Sequence, residues 1–333
     1  MLKLIKMVVY LGCYMNKMEY KVLSFYLTRA LFIGNGFSMM VSVAKNNAII
    51  CGFLGMLLGY FLLYLAYRKN KINKFCNILI SIVVLVILTL GVTVLTNTYL
   101  LFKTPSFLVM ISLIIVLLYG SNKEMRNISW ISVIIFCVSI LIVGMAYVSL
   151  FKYTQLTNLL PLFNTNTWNS IKGIIIFAGT SFLPNLLLIN YKNDLKFKDV
   201  SHGYIVACLL MLLVLFFILN IYGYEFAALL RFPEYSILRN IEIMGVINNI
   251  ENILIMEWIS CLIVTGLVCC RVLRDSMNKV IFYLIIILII LGFKFLLFSN
   301  DYVNILYIKN YSIYVYFGIA IIALLFKGTK QKN

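Results

Sequence analysis

Residues 78–100 read ILISIVVLVILTLGVTVLTNTYL, 23 consecutive positions without a charged side chain. A run of that length suits a helix crossing the hydrocarbon core of a bilayer, which takes roughly 20 apolar residues. Similar blocks recur at 22–44, 48–67, 105–119, 128–150, 171–190, 204–221, 250–270, 280–298 and 311–326. The block at 105–119 is short and starts at Pro105, which suggests a re-entrant or tilted segment, or a first turn drawn from Leu101 and Phe102. Over the whole chain 63% of residues are hydrophobic and 12% charged, against roughly 45–50% and about 25% in a soluble domain. A water-soluble fold has nowhere to hide that much apolar surface. Irregular backbone facing lipid is excluded because its polar groups would go unpaired. The chain therefore reads as an all-α polytopic membrane protein with about ten transmembrane helices.

The net charge of +17 raises the question of a nucleic-acid partner, and the placement of the basic residues answers it. The N-terminal stretch and every second loop hold Lys3, Lys6, Lys17 and Lys21; Arg68, Lys69, Lys71 and Lys74; Lys123 and Arg126; Lys192, Lys196 and Lys198; Arg271, Arg274 and Lys279; and Lys327, Lys330 and Lys332. The intervening loops hold only Lys45, Lys103, Lys152, Arg231, Arg239 and Lys309. Cytoplasmic loops carry the excess of Lys and Arg, so the charge encodes orientation, with both termini in the cytoplasm and no nucleic-acid role. The layout is a tail at 1–21, one membrane domain at 22–326 and a basic tail at 327–333. Within residues 1–21 the apolar run 7–15 is followed by basic residues rather than a small-residue cleavage site, so it is expected to be an interfacial tail and not a signal peptide.

Eight cysteines lie mostly in apolar blocks without CxxC spacing, and His202 is the only histidine. No disulfide framework, metal site or cofactor is expected. Nor is there a phosphate-binding glycine loop, a Ser/His/Asp set or a pair of carboxylates, so nothing argues for an enzyme.

Polar and helix-breaking residues at membrane depth are where function is sought. Thr28-Arg29-Ala30-Leu31-Phe32-Ile33-Gly34-Asn35-Gly36 places two glycines around an asparagine, either an unwound segment holding a small polar ligand or a small-residue packing face. Arg29 is placed to snorkel or to act in an ion pair or gate. Gly179-Thr180-Ser181-Phe182-Leu183-Pro184-Asn185 must kink or break the sixth span, since Pro removes a donor and clashes with the preceding turn. Discontinuous helices of this kind hold substrates in transporters, and a break five spans after the first suits two inverted five-helix repeats. Gly34, Asn35, Gly36, Gly179, Thr180 and Ser181 are thus the candidate ligand-binding residues.

Two further places are marked. The loop 222–249 contains a helical stretch after Pro233 with Tyr235, Leu238 and Ile241 on one face, read as an amphipathic lid or a solvated connector. Glu251 lies near the outer interface and Glu257 nearly two turns deeper, with Arg231 or Arg239 as prospective partners. Asn97, near the outer end of the third span, is a weaker mark, because polar groups there often bond their own helix. Arg29, Asn97, Glu251 and Glu257 are the candidate gating or coupling residues.

Two stretches resemble a known family. Ala30-Leu31-Phe32-Ile33-Gly34-Asn35-Gly36, followed by Ala44-Lys45-Asn46-Asn47-Ala48-Ile49-Ile50 and Gly55, is similar to the glycine-bearing first helix and second-helix entry of spore germinant-receptor B subunits. Those are the GerAB-type permeases of the amino acid–polyamine–organocation transporter superfamily. Asn47 and Ile49 replace the family's usual Asp and Trp, and its proline late in the first helix is missing. Later, Phe232-Pro233 through Ile241 and then Glu251 to Trp258 resemble the family's outer loop and its Glu-containing segment ending in Trp, with Asn248 and Asn249 where Glu and Arg are common. The resemblance implies a ten-helix, LeuT-like inverted-repeat fold with helices 1 and 6 broken and the ligand between them. It also implies a place in the spore inner membrane beside germinant-receptor A and C subunits, sensing a nutrient such as an amino acid. Two other readings stand beside it: an amino acid secondary transporter coupled to H⁺ or Na⁺, and a polysaccharide polymerase or flippase, of which Arg231, Glu234 and Arg239 are a faint version.

Overall fold

The computed structural model describes residues 15–69, 72–101, 103–161, 165–191, 196–239 and 250–298, with 318–319 and 321–323; the side chains of residues 34, 35, 250–253 and 293–298 lie outside that description. Regular structure among the described residues is entirely helical. The order is α1 (Lys17–Ala30), a π-helical turn (Phe32–Gly36), α2 (Phe37–Ala44), a 3₁₀ turn (Lys45–Asn47), α3 (Ala48–Arg68), α4 (Lys74–Tyr99), α5 (Ser106–Ser121) and α6 (Met125–Leu150). After two short 3₁₀ turns come α7 (Thr167–Phe182), a 3₁₀ helix (Leu183–Tyr191), α8 (Phe197–Leu229), α9 (Pro233–Arg239), α10 (Ile250–Ser276) and α11 (Lys279–Phe298).

Among the described residues six stretches are long and apolar enough to cross a membrane: Phe37–Arg68, Lys74–Tyr99, Met125–Tyr153, Thr167–Tyr191, Phe197–Leu229 and Leu254–Ser276. Ser106–Ser121 and Lys279–Gly292 are shorter apolar helices. The protein is a polytopic all-α integral membrane protein. The expected span at 22–44 is occupied by α1, the π turn and α2 together, while the one at 311–326, the tail at 327–333 and residues 240–249 fall wholly or mostly outside the described residues.

Local chemistry sets where the helices begin. Asn16 caps α1 through its Oδ1, which accepts from Lys17 N–H at 2.7 Å, while the Glu19 carboxylate accepts from Asn16 N–H at 3.1 Å. That reciprocal pair satisfies two of the donors a helix start leaves open. Glu19 also accepts from the Ser129 hydroxyl at 2.9 Å, so the cap ties α1 to α6. At α8 the Asp199 carboxylate accepts from Lys196 N–H at 3.1 Å in the same manner.

α1 lies at the centre, against α6, α7, α8 and α10; α3 packs on α7 and α8, and α4 on α5 and α10. Lipid supplies no hydrophobic drive between helices, so close backbone approach matters. Gly55 of α3 shows it: a Cβ there would stand 2.8 Å from Ile174 O and 2.7 Å from Phe177 Cβ on α7. α8 bends at Gly223, whose φ of 68° is a conformation open chiefly to glycine. Beyond the bend, α9 carries the helical stretch expected after Pro233, with Tyr235 and Leu238 buried. It is packed into the bundle and does not lie on its surface: Glu234 is buried too, and Tyr235 meets Tyr99 of α4 at 3.7 Å between ring centroids.

The two expected interruptions take different forms. In the first span the chain stays helical and widens into the π turn, so the glycines loosen the coil without unwinding it. In the sixth, α7 ends at Phe182 and tightens into nine residues of 3₁₀ helix. Runs of that length are uncommon because their hydrogen bonds are poorer. Pro184, which has no N–H to give to the α-helical ladder, accounts for where the change occurs.

Candidate functional site

α1 carries two adjoining sets of polar side chains that point at different partners. Thr28 and Ser24 face the sixth span. Asn185, from the 3₁₀ helix, donates through Nδ2 to Thr28 Oγ1 at 2.7 Å and to Ser181 O at 3.0 Å. Ser24 Oγ lies 2.8 Å from Asn185 Oδ1 and 2.9 Å from Val200 O, its one hydrogen shared between two acceptors. Lower on α1, the Tyr20 hydroxyl donates to Leu188 O at 2.9 Å. Side chains of α1 and Asn185 thus pair with backbone that the change of helix type leaves less well served, as buried polar groups require.

Arg29, in the last turn of α1, faces α10 instead. Its Nη1 donates to Glu257 Oε1 at 2.8 Å and its Nη2 to Oε2 at 3.0 Å, a two-pronged ion pair between residues only 4% and 5% exposed. The guanidinium also lies 5.0 Å from the Phe25 ring centre. About 12 residues of helix rise, roughly 18 Å, separate it from the start of α1, and the charge is buried inside the helical bundle. Arg29 therefore does not snorkel, and Glu257 pairs with it and not with Arg231 or Arg239. Those partners sit beyond the bend of α8, whereas Glu257 faces the centrally placed α1.

Burying two charges costs several kcal/mol per ion, recovered only by good geometry and mutual attraction. Planar guanidinium and carboxylate supply that geometry. The π turn begins three residues after Arg29; such wide turns are common at functional sites because they displace the following coil. Trp258, next to Glu257, and Tyr147 of α6 line a narrow space beside Arg29 with Ile33 and Phe37, so the pair is enclosed by rings.

The other sequence candidates sort as follows. The backbone of Gly34, Asn35 and Gly36 forms the π turn, which lies against α7. The contact there is filled by the Phe32 and Phe177 rings, 4.8 Å between centres, and the side chain of Asn35 is outside the described residues. Gly179, Thr180 and Ser181 form the buried last turn of α7, and the hydroxyls are taken up by protein partners: Thr180 donates to Ile176 O at 2.7 Å, and Ser181 lies 2.7 Å from Phe177 O and 3.0 Å from the Tyr204 hydroxyl of α8. Asn97 donates to Ser106 Oγ, tying the end of α4 to the start of α5. The side chain of Glu251 lies outside the described residues. Asn185 was missed as a site residue although it ends the proline-bearing stretch; an amide directly after the proline in so apolar a span is the signal that could have found it.

The sequence matches the spore germination protein family, a family of spore permeases, over residues 23–299, a span that contains Arg29, Asn185 and Glu257. The chain belongs to that family. No curated protein matches it. As a spore germination permease it is germination-associated and transporter-like. Among the described residues of the permease, no three His, Cys, Asp or Glu side chains cluster where a metal ion would sit.

Proposed function

We propose that this permease is the nutrient-sensing subunit of a spore germination receptor and that its ligand is an amino acid. The observation that carries the reading is the closed Arg29–Glu257 pair between the first span and α10. An amino acid zwitterion bears the complementary charges. Its carboxylate suits Arg29 and its ammonium suits Glu257, so it can take the place of each partner without leaving either charge bare, which is the costly outcome in a buried site. Exchange of an internal pair for a ligand pair frees α1 from α10, and the π turn is the adjoining segment able to move. Differential contact of this kind is what lets a ligand shift a conformational equilibrium.

On this reading the protein sits in the spore inner membrane with both termini in the cytoplasm, in line with the alternation of basic loops. Germinant-receptor A and C subunits read its conformation. The ligand site moves from the expected Gly34–Gly36 and Gly179–Ser181 contact to the neighbouring ion pair, whose charges those small residues lack.

The test is germination of spores from a strain lacking the gene, followed as loss of optical density against a panel of single amino acids. Loss of response to particular amino acids, restored by the wild-type chain but not by Glu257→Gln present at equal abundance, is expected. Unchanged germination toward every nutrient would overturn the sensor reading and direct the protein to liposome uptake assays as an ion-coupled transporter.

A further inference from the structure

Between α6 and α8 lies a cavity of about 540 Å³ whose floor is α1. Phe25 and Arg29 form the floor, Phe136, Val143 and Tyr147 one wall, and Leu210 part of the other. Its rim is made by Ile140, Val148, Val206 and Leu209, exposed by 56, 71, 51 and 51%. All four stand within membrane-crossing helices, so the mouth opens sideways into the hydrocarbon of the bilayer. The volume falls in the range of ligand-holding cavities, roughly 300–1,000 Å³.

We infer that this cavity is a lateral binding site for one acyl chain of a membrane lipid. Three observations choose the occupant. Water is a poor filler, since it needs several polar partners, and Ser139 in the wall turns its hydroxyl to Ile135 O of its own helix at 2.8 Å. A charged headgroup finds no complement, because Glu257 already neutralises the Arg29 at the floor. Acyl chains are what stands at the mouth, and an uncharged chain gives up no hydration on entering. Once seated, the chain packs on Phe25 and the stem of Arg29 and keeps water from the buried pair. The cavity shares Arg29 with the proposed amino acid site, but the inference does not rest on the receptor reading and its test does not involve germination.

Gly144 provides the plug. It lines the cavity, and a Cβ built on it meets nothing within 4 Å. There is room for the Cβ, and Gly144→Leu is designed to send its remaining atoms into the space. The full-length protein is placed in vesicles of a phosphatidylcholine carrying a photoreactive diazirine in its acyl chain, irradiated, and its labelled residues mapped by mass spectrometry. Wild type is expected to be labelled on the inward-facing Phe25, Val143 and Tyr147 as well as on the rim, and Gly144→Leu on the rim alone. Val143→Phe, which fills the same space from the next position, repeats the comparison should Gly144→Leu be poorly made. Wild-type labelling confined to the rim, or inward labelling that survives both plugs, would overturn the inference.

Discussion

The two polar contacts of α1 adjoin in sequence at Thr28 and Arg29 and are built on opposite principles. Toward the sixth span, Ser24 and Thr28 meet Asn185 in a neutral knot whose members pair with one another and with backbone carbonyls. Toward α10, Arg29 meets Glu257 in a pair that holds only while both charges are present. A neutral knot of side chain and backbone has no replacement in a diffusing ligand, whereas an ion pair can be exchanged for a ligand with the same two charges. The first contact is suited to holding α1 in place and the second to releasing it.

Breaking the ionic side should give the largest effect. Arg29→Ala or Glu257→Ala strands one buried charge and is expected to cost about 3–5 kcal/mol, read as early thermal inactivation in detergent. The double variant Arg29→Met with Glu257→Leu should recover most of that loss, as apolar replacements of buried pairs do. Breaking the neutral side comes next: Asn185→Ala leaves Thr28 and Ser181 O short of a donor and should cost about 1–3 kcal/mol, lowering the melting temperature while the amino acid response persists. Tyr20→Phe removes one hydrogen bond to Leu188 O and should cost about 0.5–1.5 kcal/mol in the same assay. Gly144→Ala should do the opposite: it meets open space, and removing a mid-helix glycine should raise stability by up to about 1 kcal/mol.

The membrane-crossing segments were legible because apolar runs and bilayer thickness share one length, and α4, α5 and α11 begin and end within a few residues of where composition placed them. α8 was harder: it runs from Phe197 to Leu229, past both ends of the apolar block at 204–221, because a helix can continue through residues such as Lys198, Asp199 and Glu225 that no apolar run marks. Arg29 and Glu257 each stood out as charges in apolar surroundings. Their pairing did not, since it joins residues 228 positions apart and depends on how α1 and α10 are rotated. Thr180 and Ser181 could not be placed from the sequence for a related reason. A hydroxyl bonded to its own helix and one facing a ligand look the same in sequence, and only the geometry shows these turned inward.

The most direct measurement is the amino acid dose response of spores carrying Arg29→Met with Glu257→Leu, beside wild type, with the protein quantified in the spore membrane. At equal abundance, loss of dependence on the amino acid is expected, because the ligand no longer has a pair to replace. A wild-type dose response in the charge-free double variant would contradict the ion pair as the point where ligand acts.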